Sequence, residues 1–379
     1  MHIPDGYLSP STCAVAYASA VPFWYVAMGK VKRRLHSRFL PLISVFSAFS
    51  FVIMMFNLPL PGGTTGHATG VGLAAVVLGP WAGMLAISVA LVIQAVFFGD
   101  GGITAIGANC FNIAIVGSLM ASFVYRLVAG LSPMGSTRRL LAAGLAGYAG
   151  INAAALITAI EFGLQPLLFH DAAGTPLYAP YSLAIAVPAM MIGHLTFAGF
   201  AEFLVSAGVV SYLQRTDPGL LAREAPGADI GLATGSLKRL WAGLAILMIL
   251  TPLGLLAVGS AWGEWAPADF AKPESRREIA AVSQGQAPAI APAGLERLSS
   301  IWTAPIPDYA PPILKNASFG YVLSAMTGTG LIILVSLLLS AFGARPRNAR
   351  PSNARPSNAR PRNARPRNAR PRNARPRNV

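Results

Sequence analysis

A free N-terminal amine followed by a histidine is a chelator in its own right, and this chain begins MHIPDGYLSP. The α-amine of Met1, the amide nitrogen of His2 once deprotonated, and the His2 imidazole close fused five- and six-membered rings on one ion. They supply three nitrogens in a plane and leave a fourth in-plane position open. His67, in the stretch GGTTGHATG at 62–70, is the candidate to fill it. Four nitrogens in a square suit Ni(II) or Cu(II), whereas Zn(II) prefers a tetrahedron. The ion itself helps to deprotonate the amide, as it does other ligands. Histidine is too bulky at the second position for ordinary methionine removal, so Met1 is expected to be retained.

The surroundings of the two histidines fit that chemistry. Gly62, Gly63, Gly66 and Gly70 let a loop fold closely over a buried terminus. Pro4 and Gly6 turn the first residues back toward the body. Thr64, Thr65 and Gly66, with Asp100 of the FGDGGIT loop and Asn109 beyond it, are the candidates to orient the ligands from behind. On spacing alone, a histidine at position 2 reads as a solvated terminus and a glycine-rich stretch with one histidine as an ordinary loop. Sidedness has to separate the two accounts. The other histidines are weaker candidates: His36 in a basic loop and His170 in LFHDAAG read as solvated, with an entry path the alternative for His170. His194 in MMIGHLTFAG reads as a structural interhelical hydrogen bond, on one face with Glu202. Glu161 is expected to reach the membrane interface.

The elements that must hold these residues are membrane helices. Of 379 residues, 54% are hydrophobic and 11% charged, against roughly 25% charged in soluble domains. The net charge of +15 is misleading, because residues 345–379 hold 12 of the 29 Lys and Arg and the rest is near +3. The body is therefore not a nucleic-acid binder. The tail repeats Asn-Ala-Arg-Pro with Arg or Ser every five residues from Asn348. Proline at that period excludes a helix, and the tail reads as a translated tandem repeat rather than a lipid tether. Cys13 and Cys110 form no metal spacing.

Apolar stretches near 9–29, 39–57, 81–98, 105–128, 138–165, 182–212, 240–260 and 320–342 predict transmembrane helices. The first run precedes its basic cluster (Lys30, Lys32, Arg33, Arg34, Arg38), the reverse of a secretory signal, so it is expected to stay as a span. Basic residues at 30–38, Arg126 to Arg139, Arg215 to Arg239 and the tail mark the cytoplasmic side, whereas 58–70, 99–104 and 166–181 have none. That places Met1, His2 and His67 together outside. It also demands an odd number of crossings between 58–70 and 126–139. The piece VGLAAVVLGP at 71–80 must supply the extra one, for nine in all. About ten residues reach only ~15 Å, so the short helix should be buried in protein beside a pocket open to the outside. Three regions follow: a seven-helix body at 1–215, a cytoplasmic linker at 216–238, and a two-span hairpin at 239–342 around an external segment at 261–319. The tail at 343–379 is expected to be disordered.

MHIPDGYLSP, GGTTGHATGVGLAAVVLGPW at 62–81 and GDGGITAIGANCFNIAIVG at 99–117 together resemble the CbiM/NikM family. These are substrate-binding membrane subunits (S components) of energy-coupling-factor transporters for cobalt and nickel. The resemblance covers about 1–215 and implies an all-α seven-helix body with its N-terminus outside. It also implies that the amine of Met1, the amide and imidazole of His2, and His67 hold the ion. WGEW at 262–265 and IPDYAPP at 306–312 are similar to the companion CbiN/NikN-like subunit, so the chain looks like a fusion of the two. Gly66-His67-Ala68 favours nickel, since cobalt members tend to read Ser-His-Pro there. The implied partners are a membrane-spanning coupling (T) subunit and cytoplasmic ATPase subunits in the bacterial inner membrane. The transported ion is the only ligand expected; no cofactor is.

The chain has no G-x-x-x-x-G-K-[ST] loop, so an ATP-driven importer would hydrolyse ATP on separate subunits. Small-residue pairs such as Ala14…Ala18 and Ala142…Ala146 are candidates for contact with the coupling subunit. An intramembrane enzyme using His194 and Glu202 lacks any HExxH or G-x-S-x-G support. A secondary transporter acting without an ATPase would normally carry several midplane acids, and only Glu202 lies deep.

Overall fold

A computed structural model describes residues 1–32, 39–60, 64–221 and 234–343. Arg33, Arg34, His36, Arg38, Gly62, Gly63, the linker at 222–233 and the tail from 344 lie outside the described residues. The body runs α1 (Pro10–Lys32), α2 (Leu40–Met54), a hairpin of β1 (Leu58–Leu60) and β2 (Thr64–Gly66), then α3 (Val71–Leu78) and α4 (Pro80–Phe98). It continues with α5 (Ile106–Ala129), α6 (Thr137–Leu168) and α7 (Leu183–Thr216). The C-terminal region adds α8 (Thr234–Leu250, followed by a 3-10 turn), short helices α9 (Pro267–Ala271), α10 (Pro273–Val282) and α11 (Ala293–Leu298), and α12 (Ala317–Gly343). Among the described residues, seven helices are long and apolar enough to cross a membrane: α1, α4 to α8 and α12. The chain is thus an all-α polytopic membrane protein.

The apolar residues face two ways. The most apolar stretches of α1 and α8 are only 22% and 17% buried, against 67% for α4. Val15, Tyr25, Ile246 and Ile249 stand exposed on α1 and α8, faces that only lipid or a membrane partner covers. Ala14 and Ala18 lie on that exposed face of α1, but Ala142 and Ala146 of α6 are fully buried in the bundle and offer no partner surface. Small residues there serve internal packing instead. A Cβ on Gly72 of α3 would lie 2.2 Å from Gly147 Cα of α6, and one on Gly328 of α12 would meet Phe51 of α2 at 2.1 Å.

The short third helix has eight residues, all buried, fewer than the sequence suggested. Gly79 (φ 80) and Pro80 end it at once and start α4. Eight residues give only ~12 Å of helix. Ala68 to Gly70 extend the path in non-helical conformation, buried among α2, α6 and α7.

The loops segregate. One end gathers residues 3–9, 64–66, 97–109, 165–179, 260–265 and 306–309 through mutual hydrogen bonds. At the other end Arg139 binds Tyr125 and Ser132, Gln214 binds Met134, and Arg239 binds the Thr216 carbonyl. Three π-turns, at Gln94–Phe98, Cys110–Val116 and His194–Ala198, interrupt α4, α5 and α7. Each carries a buried polar side chain (Gln94, Asn112, His194). Such insertions re-aim side chains and concentrate where function does.

Candidate metal centre

The first nine residues form a buried arm inside the loop-rich end. Met1, His2 and Ile3 are 4%, 2% and 0% exposed, so the solvated-terminus account fails. Side chains from two helices and contacts from the surrounding loops pin the arm. Asn109 of α5 clamps Ile3 on both sides: its Oδ1 accepts the Ile3 N–H at 2.8 Å and its Nδ2 donates to the Ile3 carbonyl at 3.1 Å. The Asp5 carboxylate accepts the N–H groups of Ile103 and Thr104 at 3.1 and 2.8 Å, and the Thr104 hydroxyl. Gly6 makes the turn at φ 88, pressed so close to the Leu295 backbone that a Cβ would lie 2.7 Å from its Cα. Tyr7 donates to the Trp265 carbonyl at 2.9 Å, and the Ser9 N–H binds Gln165 of α6 at 2.9 Å. The Ser9 hydroxyl then caps α1 by accepting the Thr12 N–H.

The second histidine arrives from the hairpin. His67 follows β2 directly and is 8% exposed. Its ring stacks on that of His2, with centroids 5.1 Å apart and planes inclined 23°. Asp100 stands closer than a supporting role from behind implied, its Oδ1 lying 2.9 Å from His2 Nδ1. Even so, both ring nitrogens of His2 are buried with no aligned hydrogen-bond partner. The Met1 amine is paired with Glu264 Oε1 at 2.6 Å. The other Asp100 oxygen accepts from Tyr309 at 2.6 Å and from Gln94 at 3.3 Å.

The electrostatics favour His67 in its donor form. Burial, then the adjacent His2 ring and Met1 amine, pushes the His67 imidazole down to about 3, so it offers a lone pair. Burial alone would raise Asp100, but the imidazoles of His2 and His67 and the Tyr309 hydroxyl hold it well below the carboxylate range. Among the described residues no three His, Cys, Asp or Glu side chains group as a metal site. A site here must draw on the main chain. The amine, the His2 amide and the two imidazoles are such a set, and the buried His2 ring, whose Nε2 has no hydrogen-bond partner, fits it.

A family model described as the cobalt uptake substrate-specific transmembrane region, CbiM, matches residues 2–220. The chain belongs to the CbiM family. The fused nickel transport protein NikMN of Rhodobacter capsulatus is 60% identical over 88% of this chain and 95% of its own length. The probable fused nickel transport protein LarMN of Lactiplantibacillus plantarum is 41% identical over 89% of this chain and 96% of its own. The crystal structure of a transition metal transporter is 53% identical and superposes with a TM-score of 0.54, covering 57% of this chain and 93% of that one. The family region is thus joined to a NikN-like C-terminal region, as in the fused relatives.

That C-terminal region closes the CbiM-type arm from above. Glu264 and Tyr309 come from WGEW and IPDYAPP, and Thr65 of β2 binds the Ser260 carbonyl at 3.3 Å. Thr64 and Thr65 face a cavity of about 360 Å³ that Met1, His194 and Trp262 also line, rather than His2 and His67. Gly66 earns its place through size, since a Cβ there would touch Leu60 and Ala198. Asn109 holds the arm's backbone, not a histidine.

Other polar groups depart from expectation. His194 Nδ1 engages the Met190 carbonyl of its own helix at 2.8 Å rather than a neighbouring helix. The π-turn after it leaves His194 on the cavity while Glu202 points to α3. Glu161 turns inward, not to the interface, and accepts from Asn112 at 2.7 Å. His170 is exposed, bridged to Pro176, and its Nδ1 lies against the adjoining Asp171 carbonyl. Glu264, Tyr309, Gln94 and Asp5 were not singled out from sequence. Polar residues in the otherwise apolar QAVFF and MHIPDGY stretches were the available signals.

Proposed function

We propose that this protein captures Ni(II), with Co(II) the second candidate, as the membrane substrate-binding subunit of an ATP-driven energy-coupling-factor importer. The observation that carries the reading is the meeting of a buried Met1 amine, His2 and His67 in one water-poor site. The Met1 amine, the His2 amide nitrogen, His2 Nδ1 and a ring nitrogen of His67 hold the ion in a plane. On binding, the amine leaves Glu264 and the His2 ring leaves Asp100; both carboxylates then stand beside the cation. The nickel named for both fused relatives and the sequence Gly66-His67-Ala68 support nickel over cobalt.

The protein sits in the bacterial inner membrane with Met1 outside and the Arg-rich tail in the cytoplasm. The clustering of Arg126, Arg138, Arg139, Arg215 and Arg239 at the end away from Met1 supports that orientation. ATP is hydrolysed on separate ATPase subunits joined through a coupling subunit. The exposed apolar face of α1 with Ala14 and Ala18 is a surface for such contact.

Nickel and cobalt accumulation in cells expressing the chain with and without the coupling and ATPase subunits tests this. Uptake above background only with the partners, abolished by His67→Ala, is the expected result. Equal uptake without them would establish a transporter that acts alone.

A further inference from the structure

The His67 loop is held from inside the membrane body by a single buried carboxylate. Glu202 of α7 has no exposed surface. Its Oε2 accepts the Thr69 N–H at 2.6 Å, the Gly70 N–H at 3.0 Å and the Thr69 hydroxyl at 3.3 Å, and its Oε1 accepts the Gly72 N–H at 3.1 Å. The Thr69 hydroxyl in turn accepts the Val71 N–H. Every backbone donor from Thr69 to Gly72 is therefore satisfied by Glu202 or by a group it holds. The positive end of α3 also faces the carboxylate.

A serine or threonine cap would satisfy such a helix start at far lower desolvation cost. What the carboxylate adds is reach and grip on two residues before the helix, Thr69 and Gly70, directly after His67-Ala68. The same helix α7 touches the loop on its other side. A Cβ on Gly66 would sit 3.8 Å from Ala198, and one on Gly193 would meet Leu60 of β1 at 2.9 Å. The segment carrying His67 is thus bracketed by α7 at Ala198 before it and Glu202 after it. Ser50 of α2 completes the seat by donating to the Thr69 carbonyl at 2.5 Å.

We infer that Glu202 is a positioning residue for the metal site: through Thr69, Gly70 and Gly72 it fixes the loop so that His67 reaches the ion's fourth in-plane position. This rests on the reading of His67 as a donor. It gives α7 a direct mechanical link to the ligand, so displacement of α7 along the bundle would carry His67 away from the Met1–His2 chelate.

The test loads purified full-length wild type, His67→Ala and Glu202→Gln with nickel, and records binding isotherms and the visible ligand-field spectrum of each. A low-spin nickel centre that exchanges its fourth nitrogen for water absorbs at longer wavelength. Wild type and His67→Ala should differ in that band. Glu202→Gln should weaken nickel about ten- to hundredfold, as loss of a ligand-orienting partner does, and its band should move toward that of His67→Ala. Glu202→Asp should recover part of both. If His67→Ala leaves the spectrum unchanged, His67 is not a donor and the site reading itself fails. If His67→Ala shifts the band while Glu202→Gln binds and absorbs like wild type, the positioning role alone is overturned. Should Glu202→Gln not accumulate, Thr69→Val removes one of the four bonds to Glu202 together with the acceptor of the Val71 N–H. It should give a smaller shift in the same direction, and an unshifted band with wild-type affinity would contradict the inference.

Discussion

The two halves of the candidate site are anchored in opposite ways. The Met1–His2 arm has no regular structure of its own and is held by side chains from α5, α6 and the C-terminal region. The His67 loop is held from below by groups of the seven-helix body, Ser50 and Glu202. Among the described residues the NikN-like region reaches it at the β2 end, where the Thr65 N–H donates to the Ser260 carbonyl. The fused region therefore acts chiefly on the arm, and the body acts on the loop. A chelate needs both at once, which ties metal capture to the packing of two parts of the chain far apart in sequence.

That contrast can be broken at the arm first. Asn109→Ala removes both hydrogen bonds to Ile3 and leaves its N–H buried without a partner. We expect about 2–3 kcal/mol lost from the metal-free protein and a nickel affinity lower by about a hundredfold, read by thermal denaturation in detergent and by titration. An affinity within twofold of wild type would mean that the arm orders itself on the metal.

Glu264→Gln tests the fused region's share. Glu264 is about a quarter exposed (23%) and pairs with the amine at 2.6 Å, a pair that coordination of the amine would break. About 1 kcal/mol should vanish from the metal-free protein, with nickel affinity changed by less than about threefold. A much larger loss of affinity would make Glu264 part of the loaded site. Tyr309→Phe should cost a similar ~1 kcal/mol and move nickel affinity less still, since Asp100 loses one donor and keeps Gln94.

The pH dependence sharpens the contrast further. Coordination releases protons from the Met1 amine and the His2 amide, so affinity should rise with pH. His67, held near 3, is neutral above pH 5 and releases none. His67→Ala should thus lower affinity while leaving its slope against pH unchanged between pH 5 and 8. A shallower slope would show that His67 is protonated before the metal arrives.

The spans were legible because each is a long apolar run, and Met1, His2 and His67 because a terminal amine, a second-position histidine and a glycine-flanked histidine are local patterns. Loop charge then supplied the sidedness that brought them together. Glu264 and Tyr309 were illegible as partners of the site, since they meet Met1 and Asp100 across 263 and 209 residues. No periodicity encodes contacts of that range. Glu202 was visible as a deep acid, but its partners are the Thr69 hydroxyl and backbone N–H groups at and just before a helix eight residues long, shorter than the apolar run suggested. The π-turns left no mark either, and one of them, His194–Ala198, lies between His194 and Glu202, which face different neighbours.

The central claim is that the chain's own terminus is the chelator. Insertion of one alanine between Met1 and His2 keeps every side chain but moves the imidazole out of the six-membered ring and away from His67. Nickel content and binding isotherms of this variant, purified beside wild type, measure the claim directly. The account predicts loss of stoichiometric nickel with the helical fold intact; nickel bound as tightly as in wild type would contradict it.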